Sequence, residues 1–311
     1  MKNKVFKNLD EQIDILQNKG LIITDIDKSK RILLKENYFF VSGYRHLFMN
    51  DSKDRNFIDG TTFEELYAMF SFDRNIRNIF FKNLLIVENN IKSLISYQMS
   101  RKYGFKEKDY LNVKNFTEDS LRVRQVRDVL EKVKRQIRVN GRKHSATIHY
   151  ITNYGYIPLW ILVKVLSFGL IGEFYNIFKD NDKIELANFY NLDVKNFSIY
   201  LNILSNYRNL CAHEDILYDY RTQKEIPDNI YHRELGIIKE SGTYIYGKND
   251  LYSVIIILKY LLSEHQFVDL INEIGYEIDI ISGKISVIEI SKILSKMGFP
   301  DNWRDIVNMK Y

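Results

Sequence analysis

Residues 61–102 read TTFEELYAMFSFDRNIRNIFFKNLLIVENNIKSLISYQMSRK, and this stretch predicts one long amphipathic helix. Thr61 or Thr62 is suited to the N-cap, because a hydroxyl there accepts a hydrogen bond from an unpaired N–H of the first turn. The glutamates that follow suit the positive end of the helix dipole. Residues then recur on one face at spacings of three and four, namely Phe70, Arg77, Phe80, Leu84, Glu88, Ile91 and Ile95.

Two charged residues, Arg77 and Glu88, occupy positions on this otherwise apolar stripe. A carboxylate in such a place is costly unless it is paired or hydrogen-bonded. One interpretation makes Glu88 the partner that orients an active-site arginine. The alternative is a charge at the margin of the stripe that reaches solvent, and this alternative applies more readily to Arg77.

The rest of the chain also favours helices, and we predict an all-α protein. Only three prolines occur in 311 residues, and Leu, Ile, Lys and Glu are abundant. We expect an N-terminal helical element over 1–60, a helical core over 61–220 that contains an inserted basic segment at 101–149, and a C-terminal helical extension over 221–311. Further helices are predicted over 5–19, 27–37, 157–178, 182–190, 250–266 and 286–297, another from about Val194, and one short hairpin within 214–249.

Composition narrows the class of protein. The 45 basic and 40 acidic residues leave a net charge of only +5, so any polyanion contact must depend on where the charge is located. Cys211 is the only cysteine, which excludes an internal disulfide. The six histidines show no metal-ligand spacing, and we expect no metal or cofactor. No signal peptide or membrane span is evident, so a soluble cytoplasmic protein is expected. The 22 tyrosines and 19 phenylalanines are expected mainly in the core.

The candidate catalytic motif is Tyr207-Arg208-Asn209-Leu210-Cys211-Ala212-His213. A guanidinium neutralises phosphate charge, and an imidazole moves protons near neutral pH. The spacing alone is weak, because Arg138 with His144 and Arg142 with His149 resemble it. Arg208 differs because it continues an apolar stripe through Phe197, Leu201 and Leu204, so its charge requires an anionic partner. The alternative is a helix-ending arginine followed by a surface histidine.

Helix geometry constrains how Arg208 and His213 cooperate. Residues five apart on a regular helix point about 140° from each other. The two side chains therefore converge only if the helix breaks between them, or if two chains contribute. Asn209 and His213 are four apart and share a face.

The candidate RNA-binding segment is the basic stretch from Arg122 to Lys143, which has nine Lys or Arg against two acids. The alternative is a solvated helix face. The proposed phosphate contacts are Arg122, Arg124, Arg127, Lys134, Arg135, Arg138, Arg142 and Lys143.

Several segments together resemble the Abi/AbiD/AbiF abortive-infection family, which belongs to the HEPN superfamily. The resemblance covers nearly the whole chain in order. One departure is that Glu214 and Asp215 follow His213, where basic and tryptophan-containing residues are frequent. The segments that carry it are Ser42-Gly43-Tyr44-Arg45, Phe72-Asp73-Arg74, Ile86-Val87-Glu88, Pro158-Leu159-Trp160, Leu166-Ser167-Phe168-Gly169, Arg208 to His213, and Gly298-Phe299-Pro300 with Trp303.

This resemblance implies a HEPN-type helical bundle and a metal-independent endoribonuclease toxin of phage defence. It places the functional residues at Arg208, Asn209 and His213, and it implies a homodimer that pairs two motifs. It also implies RNA as substrate and a structured small RNA as a possible regulator. The competing hypothesis is a non-catalytic RNA-binding module that binds such a small RNA. A nucleotidyl-transfer substrate or partner is a third reading, without a separate signal in the sequence.

Overall fold

The computed structural model describes residues 5–50 and 56–310, and it confirms an all-α fold. The hairpin pairs β1 (Lys239–Glu240) with β2 (Thr243–Tyr244) in antiparallel fashion, as predicted. Short 3₁₀ helices include Gly43–Phe48 and Trp303–Asn308. The α-helices of the described residues are α1 Leu9–Gln17, α2 Ile26–Glu36, α3 Tyr38–Ser42, α4 Phe63–Tyr103, α5 Glu107–Tyr110, α6 Val123–Asn140, α7 Ser145–Tyr154, α8 Leu159–Leu162, α9 Phe168–Asn176, α10 Asp180–Asn188, α11 Val194–Ala212, α12 Ile230–Glu234, α13 Leu251–Leu261, α14 Glu264–Ser282 and α15 Ile290–Met297.

Helix α4 is the axis of the molecule. The Thr62 side chain caps it by accepting a hydrogen bond from the Glu65 N–H, and the Glu65 carboxylate accepts one from the Thr62 N–H. The predicted threonine N-cap and the predicted acidic first turn are therefore both present. Helices α11 and α14 pack along it. Its stripe residues Phe80, Leu84 and Ile95 are fully buried in the apolar core. The predicted long helix is therefore confirmed, and it supplies one wall for the motif helix α11.

Two glycines of α9 allow α11 to pack closely against it. A Cβ at Gly169 would lie 3.1 Å from Ser205 Oγ, and a Cβ at Gly172 would lie 3.7 Å from the Leu201 Cβ. Both glycines are on α9 and both neighbours are on α11. The absence of side chains at these positions allows the two helices to approach, which fixes α11 between α9 and α4.

Three predicted boundaries are wrong. The 157–178 segment is not one helix, because Leu166 is extended and the Ser167 side chain starts α9 by capping Leu170. The 250–266 segment is also divided, since Ser263 caps a new helix, α14, that was not predicted. The helix predicted to start at 182 begins two residues earlier, at Asp180, so Asp182 is not its N-cap. It lies in the first turn, fully buried, where it accepts hydrogen bonds from Lys102 and Tyr103.

One apolar core joins the three predicted segments of the chain. Buried side chains from Ile13 in α1, through α4 and α11, to Ile306 in the last 3₁₀ helix belong to the same cluster. The stretch just before the predicted division at 60 is only partly described, because residues 51–55 lie outside the described ranges. The division at 60 and 220 stays a prediction.

Candidate functional site

The motif lies at the C-terminal end of α11, and His213 is its C-cap. The His213 N–H bonds to Asn209 O at 3.0 Å, and the Asp215 N–H bonds to Leu210 O at 3.3 Å. Glu214 between them has a φ of 57°. This is a Schellman ending in which a glutamate occupies the left-handed position that glycine usually takes. The ending turns the chain sharply and leaves the side chains of Asn209 and His213 exposed.

Arg208 is paired with Glu88 of α4. Its Nε donates to Glu88 Oε2 at 3.0 Å, and its guanidinium lies 5.6 Å from the centre of the Phe81 ring. The other oxygen of Glu88 accepts from Lys92 Nζ at 2.6 Å. The Glu88 side chain is only 5 % exposed, so this carboxylate is nearly desolvated between two cations. The ion pair that the apolar stripes require is therefore present, while its role in a reaction stays a prediction.

The Arg208 guanidinium remains accessible at its outer edge. Its side chain is 29 % exposed, and among the described residues only its Nε has a hydrogen-bond partner. The planar guanidinium is thus fixed through one nitrogen, and its two Nη groups are left to bind a ligand. Two parallel N–H donors match the oxygens of a phosphate.

The motif does not converge within one chain. Helix α11 is continuous through Ala212, so Arg208 and His213 lie five residues apart on a regular helix. Arg208 is directed to α4, and no hydrogen bond joins it to Asn209 or His213 in the part of the chain that the structure describes. The first condition for convergence, a break between the two residues, is therefore not met.

The chain after His213 is anchored by a buried charge network. Asp73 of α4 accepts hydrogen bonds from the backbone N–H groups of Leu217 at 3.1 Å and Tyr218 at 2.8 Å. The Tyr44 hydroxyl donates to Asp73 at 2.6 Å, and Arg77 Nη1 pairs with the same carboxylate. Arg77 Nη1 also donates to Asp215 O at 3.2 Å. The network therefore fixes the segment that immediately follows the motif.

The solvent-exposed alternative for Arg77 is wrong, because its side chain is 3 % exposed and pairs with Asp73 four residues earlier. Asp73 is fully buried, and burial raises the pKa of its carboxyl. The Arg77 charge and the hydrogen bond from the Tyr44 hydroxyl act in the opposite direction and lower that pKa. Asp73, Tyr44 and Lys92 were not predicted as residues of the site. A signal existed for two of them: Asp73 with Arg77, and Glu88 with Lys92, are opposite charges at a spacing of four.

Three of the segments that carry the family resemblance meet at this place. A Cβ at Gly43 would lie 2.7 Å from Ile216 Cδ1, so the Ser42–Arg45 segment closes over the residues after the motif. Arg74 binds Glu36 through two hydrogen bonds and lies 4.0 Å from Glu214. These three segments thus form one contiguous structural unit.

The predicted RNA-binding residues lie immediately before, on and after α6, whose buried face is apolar. Arg122 is half-buried and donates to Asn176 O, Arg124 lies 3.9 Å from Asp128, and Lys134 pairs with Glu131 at 2.9 Å. Helix α6 packs on α9, which in turn packs on α11. The exposed members without an ion pair inside 5–50 and 56–310 are Arg127, Arg135, Arg138, Arg142 and Lys143.

The fold and the site define an all-α protein whose exposed arginine–histidine motif ends a central helix anchored by buried ion pairs. A family model described as Abi-like protein matches residues 31–219, and the chain belongs to this Abi-like family. The family is one of abortive infection, a defence against phage. Comparison with curated proteins and with solved structures gives no match. None of the helices in the described ranges is both long and apolar enough to cross a bilayer.

Proposed function

We propose that the protein is a metal-independent endoribonuclease of the HEPN type that acts as a toxin in phage defence. The observation that carries the proposal is the state of Arg208: Glu88 fixes the guanidinium through Nε, and the Nη edge faces outward. A fixed cation with two parallel donors is the arrangement that stabilises a phosphate as its negative charge increases. The family's role in abortive infection gives this chemistry a biological setting.

The proposed reaction is an internal transesterification of RNA. The ribose 2′-oxygen attacks the adjacent phosphorus and loses its proton to a base, and the bond from phosphorus to the 5′-oxygen breaks as that oxygen gains a proton from an acid. The products are a 2′,3′-cyclic phosphate and a 5′-hydroxyl. His213 supplies one of the two proton transfers. Arg208 stabilises the phosphorane oxygens, and Asn209 orients the imidazole or the phosphate.

A second chain would complete this site. The reaction requires a base and an acid, yet each chain offers one histidine in the motif. Because α11 is continuous through Ala212, Arg208 and His213 of one chain do not face each other. A symmetric homodimer with the two motifs across its interface would bring His213 of one copy to Arg208 of the other, and two-fold symmetry is the commonest in oligomers.

Substitution of His213 tests the proposal. We expect His213→Ala to lower RNA cleavage by at least about 10²-fold, because one proton transfer loses its catalyst. Because the His213 side chain is exposed, its removal should leave the free energy of unfolding unchanged. His265→Ala is the matched control, since His265 is an exposed histidine on α14. Cleavage should persist in EDTA, because the proposed reaction uses no metal. Unchanged cleavage by His213→Ala would exclude the assignment.

Mixed dimers test the arrangement of chains. We expect heterodimers of His213→Ala and Arg208→Ala chains to depart from the summed activity of the two variants. A chain that sediments as a monomer at micromolar concentration and cleaves with first-order dependence on enzyme would contradict the dimer.

The second candidate function is a non-catalytic module that binds a structured small RNA. The observation in its favour is the row of exposed arginines on α6, which includes Arg127, Arg135 and Arg138. Such a protein would retain its RNA affinity in the His213→Ala variant and would show no cleavage in either form. Measuring binding and cleavage on the same pair of proteins therefore separates the two functions.

A further inference from the structure

Four aromatic side chains lie side by side where the end of α4 meets α7 and α8. They are Phe105, Tyr154, Tyr156 and Trp160, and we name this group the aromatic surface. The Phe105 ring centre lies 5.6 Å from that of Trp160 and 5.7 Å from that of Tyr156. Tyr154 extends the row, at 6.4 Å from Tyr156. These separations place the rings in direct contact with one another.

Three of the four rings are accessible to solvent. Trp160 is 43 % exposed, Tyr154 is 57 % exposed and Phe105 is 38 % exposed. Trp160 directly follows Leu159 in the same apolar segment, and Leu159 is fully buried. The segment as a whole is therefore not at the surface, and the exposure is specific to the Trp160 side chain. The aromatic residues were expected mainly in the core, and this surface is an exception. A row of exposed rings is costly in water and indicates a binding function.

Positive charge accompanies the rings. Lys106 Nζ lies 4.9 Å from the centre of the Tyr156 ring and forms no ion pair within the described part of the chain. Immediately beyond it, α5 and the end of α6 line a groove. Its charged lining residues are Lys108, Lys134, Arg138 and Glu107. Glu107 accepts the Ile157 N–H and Lys134 pairs with Glu131, which leaves Lys108 and Arg138 as the cations without an ion pair in the described ranges. The aromatic surface is therefore continuous with the basic face of α6. An uncharged apolar partner would not need these cations, so the charge favours an anionic ligand.

The turn that carries Tyr156 is held rigidly. The Ile157 N–H donates to Glu107 Oε1 at 2.6 Å, and the Ile157 carbonyl accepts from the Tyr110 hydroxyl at 2.8 Å. Tyr110 and Ile157 are both fully buried. Because the turn is fixed before any ligand arrives, binding at the rings would lose little conformational entropy.

We propose that the aromatic surface binds unpaired bases of RNA, with the exposed rings of Phe105, Tyr154 and Trp160 as stacking partners. Lys106 and the α6 arginines contact the phosphates on either side. Stacking on aromatic rings next to a basic groove is a sequence-tolerant mode of binding single-stranded nucleic acid. The inference rests on the proposed function for the identity of the ligand, and it adds that the RNA is single-stranded at this place. In a duplex the faces of each base are covered by the neighbouring base pairs of the stack, so they cannot stack on protein rings.

Tryptophan fluorescence tests the proposal directly. The chain has two tryptophans, and the other, Trp303, is buried at 4 % exposure, so quenching by a stacked base reports on Trp160. Short single-stranded and duplex RNAs of the same sequence are titrated into the His213→Ala protein, which keeps the RNA intact. We expect quenching by the single strand alone. The Trp160 variants lack this reporter, so their affinity is measured by the fluorescence anisotropy of end-labelled RNA. Trp160→Leu should weaken single-strand binding about tenfold, while Trp160→Phe should weaken it less, because a ring remains.

Tyr276→Leu is the matched control, since Tyr276 is an exposed aromatic residue on α14. Phe105→Leu is the second test variant, in case Trp160→Leu lowers stability. Unchanged single-strand affinity in both test variants would overturn the proposal and leave the surface to a protein partner. Equal weakening by Tyr276→Leu would also overturn it. If the wild-type chain cleaves no RNA but binding depends on Trp160, the ribonuclease assignment fails and the stacking site stands.

Discussion

Glu88 and Arg208 are 120 residues apart in the sequence, and Glu88 Oε2 accepts a hydrogen bond from Arg208 Nε at 3.0 Å. The pair joins the middle of α4 to the end of α11 inside an otherwise apolar contact. Lys92 uses the second oxygen of the same carboxylate. The buried Glu88 carboxylate therefore pairs with two cations, and its contact with Lys92 can be tested separately from its contact with Arg208 by mutation.

We predict that Glu88→Gln lowers both stability and RNA cleavage. Lys92 would lose its anionic partner in a buried site, which costs about 3–5 kcal/mol of unfolding free energy. Arg208 would lose the charge that fixes its orientation, which should reduce the cleavage rate about 10²-fold. The double variant Glu88→Gln/Lys92→Met removes the unpaired ammonium, so it should regain stability but not cleavage. Recovery of cleavage together with stability would show that Glu88 acts only in folding.

Tyr44→Phe should reduce cleavage through the segment that follows His213. The hydroxyl donates to Asp73 at 2.6 Å, and Asp73 holds the N–H groups of Leu217 and Tyr218. Its removal should cost about 1–2 kcal/mol of stability. Tyr252→Phe is the matched control, because Tyr252 is a buried tyrosine whose hydroxyl bonds to Trp303 O at 2.9 Å. The control should lose similar stability in denaturant and keep its cleavage rate, and an equal fall in cleavage in both variants would contradict the prediction.

The ending of α11 offers a test of backbone strain. Glu214 has a φ of 57°, a conformation that costs a residue with a side chain about 1 kcal/mol relative to glycine. Its 4.0 Å contact with Arg74 is largely exposed and contributes little. Glu214→Gly should therefore stabilise the protein by about 1 kcal/mol in urea unfolding. Glu240→Gly, at an exposed position in β1, should instead destabilise it slightly, and a loss of stability in both variants would exclude strain at Glu214.

His232 should make stability depend on pH. Its Nδ1 accepts the Asn229 N–H at 3.2 Å and its Nε2 donates to Gly247 O at 2.9 Å, which requires the neutral ring. Burial lowers the pKa of His232 to about 4, whereas the pKa of a histidine in the unfolded chain is about 6.5. The unfolded state therefore binds the proton more readily, so this contribution is fully present above about pH 6.5 and is lost as the pH falls toward 4.

The corresponding measurement is the free energy of unfolding of wild type and His232→Gln across that pH range. The difference between the two proteins should shrink by up to about 3 kcal/mol between pH 6.5 and 4. Parallel curves would show that the His232 ring does not titrate differently in the folded and unfolded states.

Local signals made α4 and α11 predictable. An apolar stripe with a threonine N-cap defined α4, and the stripe from Phe197 to Arg208 defined the helix that begins at Val194. The breaks at Ser167 and Ser263 were not predicted, because a single serine cap interrupts sequence that is apolar on both sides. The end of α11 had no glycine to mark it, since Glu214 takes that position.

The candidate site was predictable only where a charge interrupted an apolar pattern. Glu88 was identified for this reason, and the structure places it against Arg208. The contacts of Tyr44 and Asp73 with distant parts of the chain have no local pattern, because they span 29 residues and more than 140 residues. Composition likewise gives no indication of which aromatic rings face solvent, and the exposure of Trp160 follows from the packing of α8.

The span of the Asp73 contacts has a consequence for the order of events on the ribosome. Asp73 and Arg77 are synthesised together, but the N–H groups that Asp73 binds belong to residues 144 and 145 positions later. Contacts of such long range form late in folding. A nascent chain that ends before residue 218 therefore lacks the anchor for the segment beside His213. If the activity is toxic to the cell, translation itself delays that toxicity until at least 218 of the 311 residues have been synthesised.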